Sequence, residues 1–112
     1  MKKIEAIIKP FRLEDVRGAL LRRGIEAMTV TEVKGCGHQQ GRLEYYNGAT
    51  HMVEFLPKLR IEIVIAECQI EAALDAIMQT AKTGKVGDGK IFISTIDEVV
   101  RIRSGEKGEL VL

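Results

Sequence analysis

Aromatic residues account for only 4% of this chain. RNA modules of the sheet type stack unpaired bases on aromatic side chains, and strands as aliphatic as those found here offer no such platform. Charge of one sign is scarce as well: 17 Lys and Arg against 16 Asp and Glu leave a formal net charge of +1. Nucleic-acid binding normally needs a strongly basic face, so composition gives no general electrostatic case for it and leaves open only a local basic cluster. Long hydrophobic runs are missing. The longest are a few residues, too short to span a bilayer, and no direct membrane insertion is expected. Met1-Lys2-Lys3 leads at once into a strand-like pattern without an apolar signal core, which makes a cytoplasmic location the expectation. Cysteine is nearly absent too. Cys36 and Cys68 have neither CxxC nor zinc-finger spacing and read as free thiols rather than a disulfide.

What is present suffices for one core. The 112 residues, 46% apolar and 29% charged, suit a single globular domain over 1–112. Lys3–Lys9 (KIEAIIK) is strand-like, with Ile4, Ala6 and Ile8 on one face, and Pro10 ends it. Leu13, Val16 and Leu20 fall at helical spacing, with Gly24 placed as a stop. Met28–Lys34 (MTVTEVK) is rich in β-branched residues and predicts a second strand. Leu59, Ile61, Ile63 and Ile65 then alternate with Arg60, Glu62, Val64 and Ala66, the cleanest strand pattern in the chain. Ile70, Leu74, Ile77 and Ala81 mark a second helix stopped near Gly84, and Ile91–Ile96 (IFISTI) a fourth strand. The order β-α-β, long loop, β-α-β predicts an α+β, ferredoxin-like double β-α-β sandwich, with four antiparallel strands and both helices on one face. Ile7, Val64 and Phe92 take the opposite parity from the main apolar residues, so the second face is not wholly polar and favours an oligomer that covers it.

Two stretches carry chemistry. GCGHQQGRLEYYNGATH, residues 35–51, joins two strand-like segments; connections this long without structure of their own are usually functional or disordered. TGKVGDGKIF, residues 83–92, fits the phosphate-loop template from Gly84 through Gly89-Lys90. It departs twice: Ile91 stands where Ser or Thr would hold magnesium, and the loop runs from helix to strand, the reverse of a P-loop. A P-loop NTPase is therefore excluded. Gly84, Gly87 and Gly89 still permit a turn that aims several N–H groups into one concavity, with Lys85 and Lys90 adding charge. Taken alone, the stretch reads better as a tight turn with solvated lysines than as an anion site. Arg101 and Arg103 are two apart, hence on the same side if the tail is extended, and Lys58 and Arg60 share a parity in the third strand. Together with the turn these cations suit a polyanion. Three or four charge-assisted hydrogen bonds of about 1.5–3 kcal/mol each suffice for a nucleotide triphosphate at roughly micromolar affinity.

MKKIEAIIKPF at the start, MTVTEVKG before the loop, VEFLPK after it, TGKVGDGKIFI and RIRSGE resemble the PII signal-transduction family over essentially the whole chain without gaps. The resemblance implies a homotrimer of ferredoxin-like subunits, with ATP and ADP competing for clefts between neighbours and 2-oxoglutarate binding beside Mg-ATP. It also implies a mobile effector and target loop at 35–55, a phosphate-binding turn at 82–90 and a C-terminal loop or tail at 101–112. Such a protein is a non-catalytic transducer that regulates an ammonium transporter, or enzymes and regulators of nitrogen assimilation, through its mobile loop. Carried over by position, Gly87, Asp88, Gly89 and Lys90 match the turn that holds the nucleotide phosphates, with Arg101 and Arg103 supplied by the neighbouring subunit. Thr29, Glu62 and Val64 match positions that contact the nucleotide, and Gly37 and His38 belong to the same set. Gln39 matches the residue that completes the magnesium shell with ATP phosphates and 2-oxoglutarate, in keeping with the ion's preference for oxygen ligands drawn largely from substrate and water. Lys58 matches the cation that pairs with a 2-oxoglutarate carboxylate, and Gly41 brings backbone N–H to the same ligand.

Four positions depart from the family pattern. His38 replaces an arginine, and an imidazole has one donor where guanidinium has five, which weakens the expected grip on ATP and adds a dependence on pH near neutrality. Cys36 replaces a larger apolar residue; with His38 and His51 it invites a metal reading, but the spacing is nonstandard. His51 and Ala49 stand where family members carry a nucleotidylated tyrosine or a phosphorylated serine, so no covalent modification is expected at either. An acylphosphatase-like hydrolase needs an arginine and an asparagine at a phosphate loop, and Asn47, the only asparagine, lies in the 35–55 loop. The alternative that stays open is a PII-like paralogue that senses adenine nucleotides but answers to a different effector or target outside core nitrogen control.

Overall fold

The computed structural model describes residues 1–36 and 55–112, together with the backbone of 43–46 and 49–52. Its main sheet contains β1 (Lys2–Ile8), β2 (Thr29–Gly35), β5 (Leu56–Ile65) and β6 (Lys90–Thr95), in the order β2-β5-β1-β6. All neighbours are antiparallel. Helices α1 (Leu13–Arg22) and α2 (Ile70–Ala81) connect β1 to β2 and β5 to β6. That is the ferredoxin-like split β-α-β arrangement read from the sequence; most strand ends differ by one residue, within the usual uncertainty of such boundaries, and β5 begins three residues before the alternating pattern.

The central strands explain why the sheet has two unlike faces. Ile4, Ala6 and Ile8 of β1, and Leu59, Ile61, Ile63 and Ile65 of β5, are all buried. They meet Val16, Ala19 and Leu20 of α1 and Ala73, Ala76, Ile77 and Ala81 of α2, and the small alanines let the helices settle close to the sheet. Each helix follows a short 3-10 turn, Pro10–Arg12 and Glu67–Gln69. Glu14 and Asp15 at the start of α1, and Glu71 at the start of α2, complement the positive end of the helix dipole.

Register places Lys58, Arg60, Glu62 and Val64 of β5 beside Ile7, Glu5 and Lys3 of β1 on the face that no helix covers. Glu5 and Glu62 stand directly opposite one another, an arrangement that is unfavourable on its own. Lys3 at 2.9 Å from Glu5 and Arg60 at 3.2 Å from Glu62 offset it. Phe92, on this same face, is 53% exposed, which bears out the parity reading of a partly apolar second face.

One difference concerns the stretch expected to be a long loop without structure of its own. β3 (Leu43–Tyr46) and β4 (Ala49–Met52) pair antiparallel as a separate two-stranded sheet, with Tyr46 opposite Ala49 and Leu43 opposite Met52. The signal was in the sequence. Asn47-Gly48 between two short β-prone runs is the strongest local indication of a hairpin. The expected mobility of 35–55 concerns positions that lie largely outside the described residues.

Ile61→Ala empties space on the buried face and is expected to cost roughly 3 kcal/mol in urea unfolding. Val64→Ala, on the uncovered face, is expected to cost less than about 1 kcal/mol. Equal losses would contradict the two-faced reading of β5.

Candidate functional site

The segment between α2 and β6 is held from three sides. The first hold is electrostatic. The Asp88 carboxylate accepts the backbone N–H of Thr83 at 2.8 Å and of Gly84 at 2.9 Å, and it also accepts the Thr83 hydroxyl. Lys9, just past the end of β1, reaches the same carboxylate at 3.2 Å and donates to Thr83 Oγ1 at 3.1 Å. The Thr83 oxygen accepts the Lys85 N–H as well, at 3.2 Å, so its one donor and two acceptor sites are all used. Burial pushes the Asp88 carboxyl up, but hydrogen bonds from Thr83, Lys9 and Gly84 outweigh it and hold the group well below its ordinary value of 3.8.

The second hold is a buried ammonium. Lys58 is only 7% exposed, and its Nζ donates to the Gly87 carbonyl at 2.5 Å. Desolvation, followed by the neighbouring charge of Lys9, lowers its pKa from 10.5, and Asp88 partly counters the shift. The third hold is steric. Gly89 has φ +98°, and a Cβ placed there would lie 1.6 Å from the carbonyl oxygen of Ile7 in β1. Only glycine fits, because the obstacle is backbone rather than the end of a flexible side chain.

Beside this turn lies a cavity of about 510 Å³. Lys58, Lys85 and Lys90 line it with the backbone of Gly87–Gly89; Ile7 and Phe92 supply an apolar wall, and Gly35 and Cys36 close the end of β2. The turn's own carboxylate is already engaged with Lys9 and Thr83, so the ammonium groups set the local charge. A Gly-rich turn of this kind can present N–H groups to an anion, and the apolar wall can receive a flat or aliphatic group.

Of the positions singled out from the sequence, Gly87, Asp88, Gly89, Lys90 and Lys58 are brought together at this cavity. Thr29 and Glu62 are paired in register on the uncovered face, with Val64 two residues further along β5. None of these three lines the cavity. Gly37, His38, Gln39 and Gly41 lie outside the described residues. Arg101 and Arg103 require a correction: the tail that contains them is not extended. Arg101 N–H donates to the Glu106 carbonyl at 2.8 Å, Gly105 N–H donates to the Arg101 carbonyl at 2.8 Å, and Val100 bridges to Lys107. The chain therefore turns between the two arginines, and a parity argument does not apply to them. Arg101 pairs with Glu106 at 2.7 Å while Arg103 is exposed.

Sequence reading overlooked Lys9 and Thr83. They lie 74 positions apart, and nothing local in either stretch signals their meeting. Lys9 follows the buried Ile8 and so takes the parity of the uncovered face; that much was accessible.

Fold and site together define a ferredoxin-like domain with a cationic cavity at its second helix-to-strand turn. The family described as Nitrogen regulatory protein P-II matches residues 1–106. Nitrogen regulatory protein P-II of Pasteurella multocida is 58% identical over 109 residues, 97% of each chain. That of Azospirillum brasilense is 57% identical over 108 residues, 96% of each chain. Nitrogen regulatory protein P-II 1 of Escherichia coli K12 is 55% identical over 112 residues, 100% of each chain. The chain belongs to the P-II family of nitrogen regulatory proteins.

Two expectations follow for the turn. Gly84 (φ +82°) and Gly89 both have left-handed backbone, but a Cβ at Gly84 meets nothing within 4 Å. Gly84→Ala should cost about 1 kcal/mol and Gly89→Ala clearly more, roughly 2–4 kcal/mol, in urea unfolding. The second concerns pH. The folded pKa of Asp88 is depressed, so the stability it contributes is fully present above the ordinary 3.8 and disappears as the pH falls through the lower folded value. The gap in unfolding free energy between the unaltered chain and Asp88→Asn, about 1–2 kcal/mol, should hold from pH ~7 to ~5 and narrow below ~4. A gap that widens on acidification would refute the network.

Proposed function

We propose that this protein is a non-catalytic transducer of nitrogen status. It senses the balance of ATP and ADP together with 2-oxoglutarate, and it acts in the cytoplasm on protein targets such as an ammonium transporter or enzymes of nitrogen assimilation. The observation that carries the reading is the lysine-lined cavity at the glycine turn. Three lysines line it beside an apolar wall, and the single carboxylate of the turn is already engaged. That combination suits a molecule with one polyanionic end and one flat apolar end, which is the chemistry of a nucleotide.

In this reading the backbone N–H groups of the turn Gly87–Asp88–Gly89 and the Lys90 ammonium hold the phosphates, the Asp88 side chain taking no part, and Thr29, Glu62 and Val64 take part in nucleotide binding. Arg101 and Arg103 serve the site of a neighbouring subunit in a homotrimer. Support for the trimer comes from the uncovered sheet face with its exposed Phe92 and from the family. Gly37, His38 and Gln39 complete the nucleotide site, Gln39 ligates Mg²⁺ shared with ATP and 2-oxoglutarate, and Gly41 and Lys58 bind the dicarboxylate. Lys58 suits that role chemically: a desolvated ammonium interacts more strongly with a carboxylate than a hydrated one does. Signalling passes through 35–55 by ligand binding alone, since neither His51 nor Ala49 offers the hydroxyl used for covalent switching. Substitution of the expected arginine by His38 keeps one second reading in view, a paralogue that senses adenine nucleotides with a different effector.

Isothermal titration separates these readings. Mg-ATP and ADP are expected to compete for one site, and 2-oxoglutarate to bind only when Mg-ATP is present. Gln39→Ala should abolish 2-oxoglutarate binding and leave ADP within about threefold, because only the former needs the metal bridge. Equal loss of both would sink the assignment of Gln39, whereas nucleotide binding without any 2-oxoglutarate response would favour the paralogue.

A further inference from the structure

Asp88 is a liability at the position the nucleotide reading gives it. A carboxylate between Gly87 and Gly89 sits beside the place where phosphate charge would gather, and like charges at close range disfavour binding. The structure answers this from within the turn and from outside it. Thr83 supplies its hydroxyl and its N–H, and Gly84 its N–H, so three neutral donors surround the carboxylate. Lys9, just past the end of β1, supplies the opposite charge at 3.2 Å. The Lys9 and Asp88 side chains are 17% and 24% exposed, so this is a part-buried pair rather than one screened at the surface.

The position of Lys9 matters as much as its charge. It follows Ile8, one residue beyond Ile7, and the carbonyl of Ile7 is the group against which Gly89 abuts. One stretch of backbone therefore fixes the turn twice, by steric contact at Gly89 and by charge at Asp88. Next to Lys9 stands Lys58, whose Nζ is placed on the Gly87 carbonyl. Lys58 interacts with the charge of Asp88 as well as with that of Lys9, so with Lys9 neutral it would be drawn toward the carboxylate.

Resting on the nucleotide reading above, we infer that Lys9 and Thr83 are positioning residues for the phosphate-binding turn. By satisfying Asp88 they shield the phosphates from its charge and leave Lys58 and Lys90 for the ligand. Neither residue is assigned any contact with the nucleotide. Their effect should therefore grow with the number of phosphates and vanish for a ligand that has none.

The test is titration of the full chain with Mg-ATP, ADP and adenosine. Lys9→Met is expected to weaken Mg-ATP by about tenfold or more and ADP by less, with adenosine unchanged. Lys9→Arg should stay within about threefold of the unaltered chain. In Lys9→Met/Asp88→Asn, the charge to be neutralised is gone and Mg-ATP affinity should return to within about threefold. Thr83→Val, nearly isosteric, should reproduce the loss and Thr83→Ser should not, which keeps the inference open to refutation if Lys9→Met fails to fold. Loss of adenosine binding in parallel with Mg-ATP, or no recovery in the double variant, would assign Lys9 a merely structural role and overturn the inference. Unchanged Mg-ATP affinity in both Lys9→Met and Thr83→Val would overturn it while leaving the nucleotide reading intact. If the unaltered chain binds no nucleotide, that reading fails and this inference fails with it.

Discussion

In β5 the aliphatic residues Leu59, Ile61, Ile63 and Ile65 alternate with Lys58, Arg60, Glu62 and Val64, and much of the molecule follows from that alternation. A strand sends successive side chains to opposite faces, so a shift of one residue in register would bury three charges and expose four aliphatics. The helices can then cover only one face. The ionisable residues gather on the other, where Lys3, Glu5, Arg60 and Glu62 alternate in sign across two strands. Because β1 carries the matching pattern, its end is fixed relative to β5. That is what sets Lys9 beside Lys58 at the edge of the turn.

The turn itself shows how a short glycine-rich segment becomes a defined shape. Glycine permits the backbone conformation, but permission alone leaves many conformations open. Three unlike restraints remove the freedom: a carbonyl wall at Gly89, a carboxylate tied to its own loop and to β1, and an ammonium under Gly87. Each acts on a different residue of the turn. The restraints come from β1 and β5 as well as from within the segment, so its geometry depends on the sheet as much as on its own residues.

Much of this was legible in the chain. Period-2 runs in β1 and β5, and the helical spacing of Leu13, Val16 and Leu20 and of Ile70, Leu74 and Ile77, report burial, which depends mainly on hydrophobicity and periodicity. The glycine spacing at 84, 87 and 89 announced a special turn, and its helix-to-strand direction correctly ruled out a P-loop. What sequence could not convey was orientation. Asp88 carries the same letter whether its carboxylate faces a ligand or Thr83, and the choice is made by Lys9, nearly eighty positions away. Parity misled at Arg101 and Arg103 because it presumes an extended chain, and the hydrogen bonds between Arg101 and Gly105 and Glu106 bend the tail. At 43–52 the hairpin signal is Asn47-Gly48, which is local and is masked by the glycines around it.

The burial of Lys58 has a consequence for the timing of solvation. An ammonium in water is surrounded by ordered solvent, and any anion that pairs with it must first displace that shell. Here part of the shell is removed as the chain folds, when the side chain is buried and its nitrogen placed on the Gly87 carbonyl. The cost therefore falls on the folding equilibrium, where the hydrophobic contacts of the core absorb it, and an arriving anion encounters a cation already stripped of part of its water. Dehydration has been moved from the encounter to the assembly of the protein.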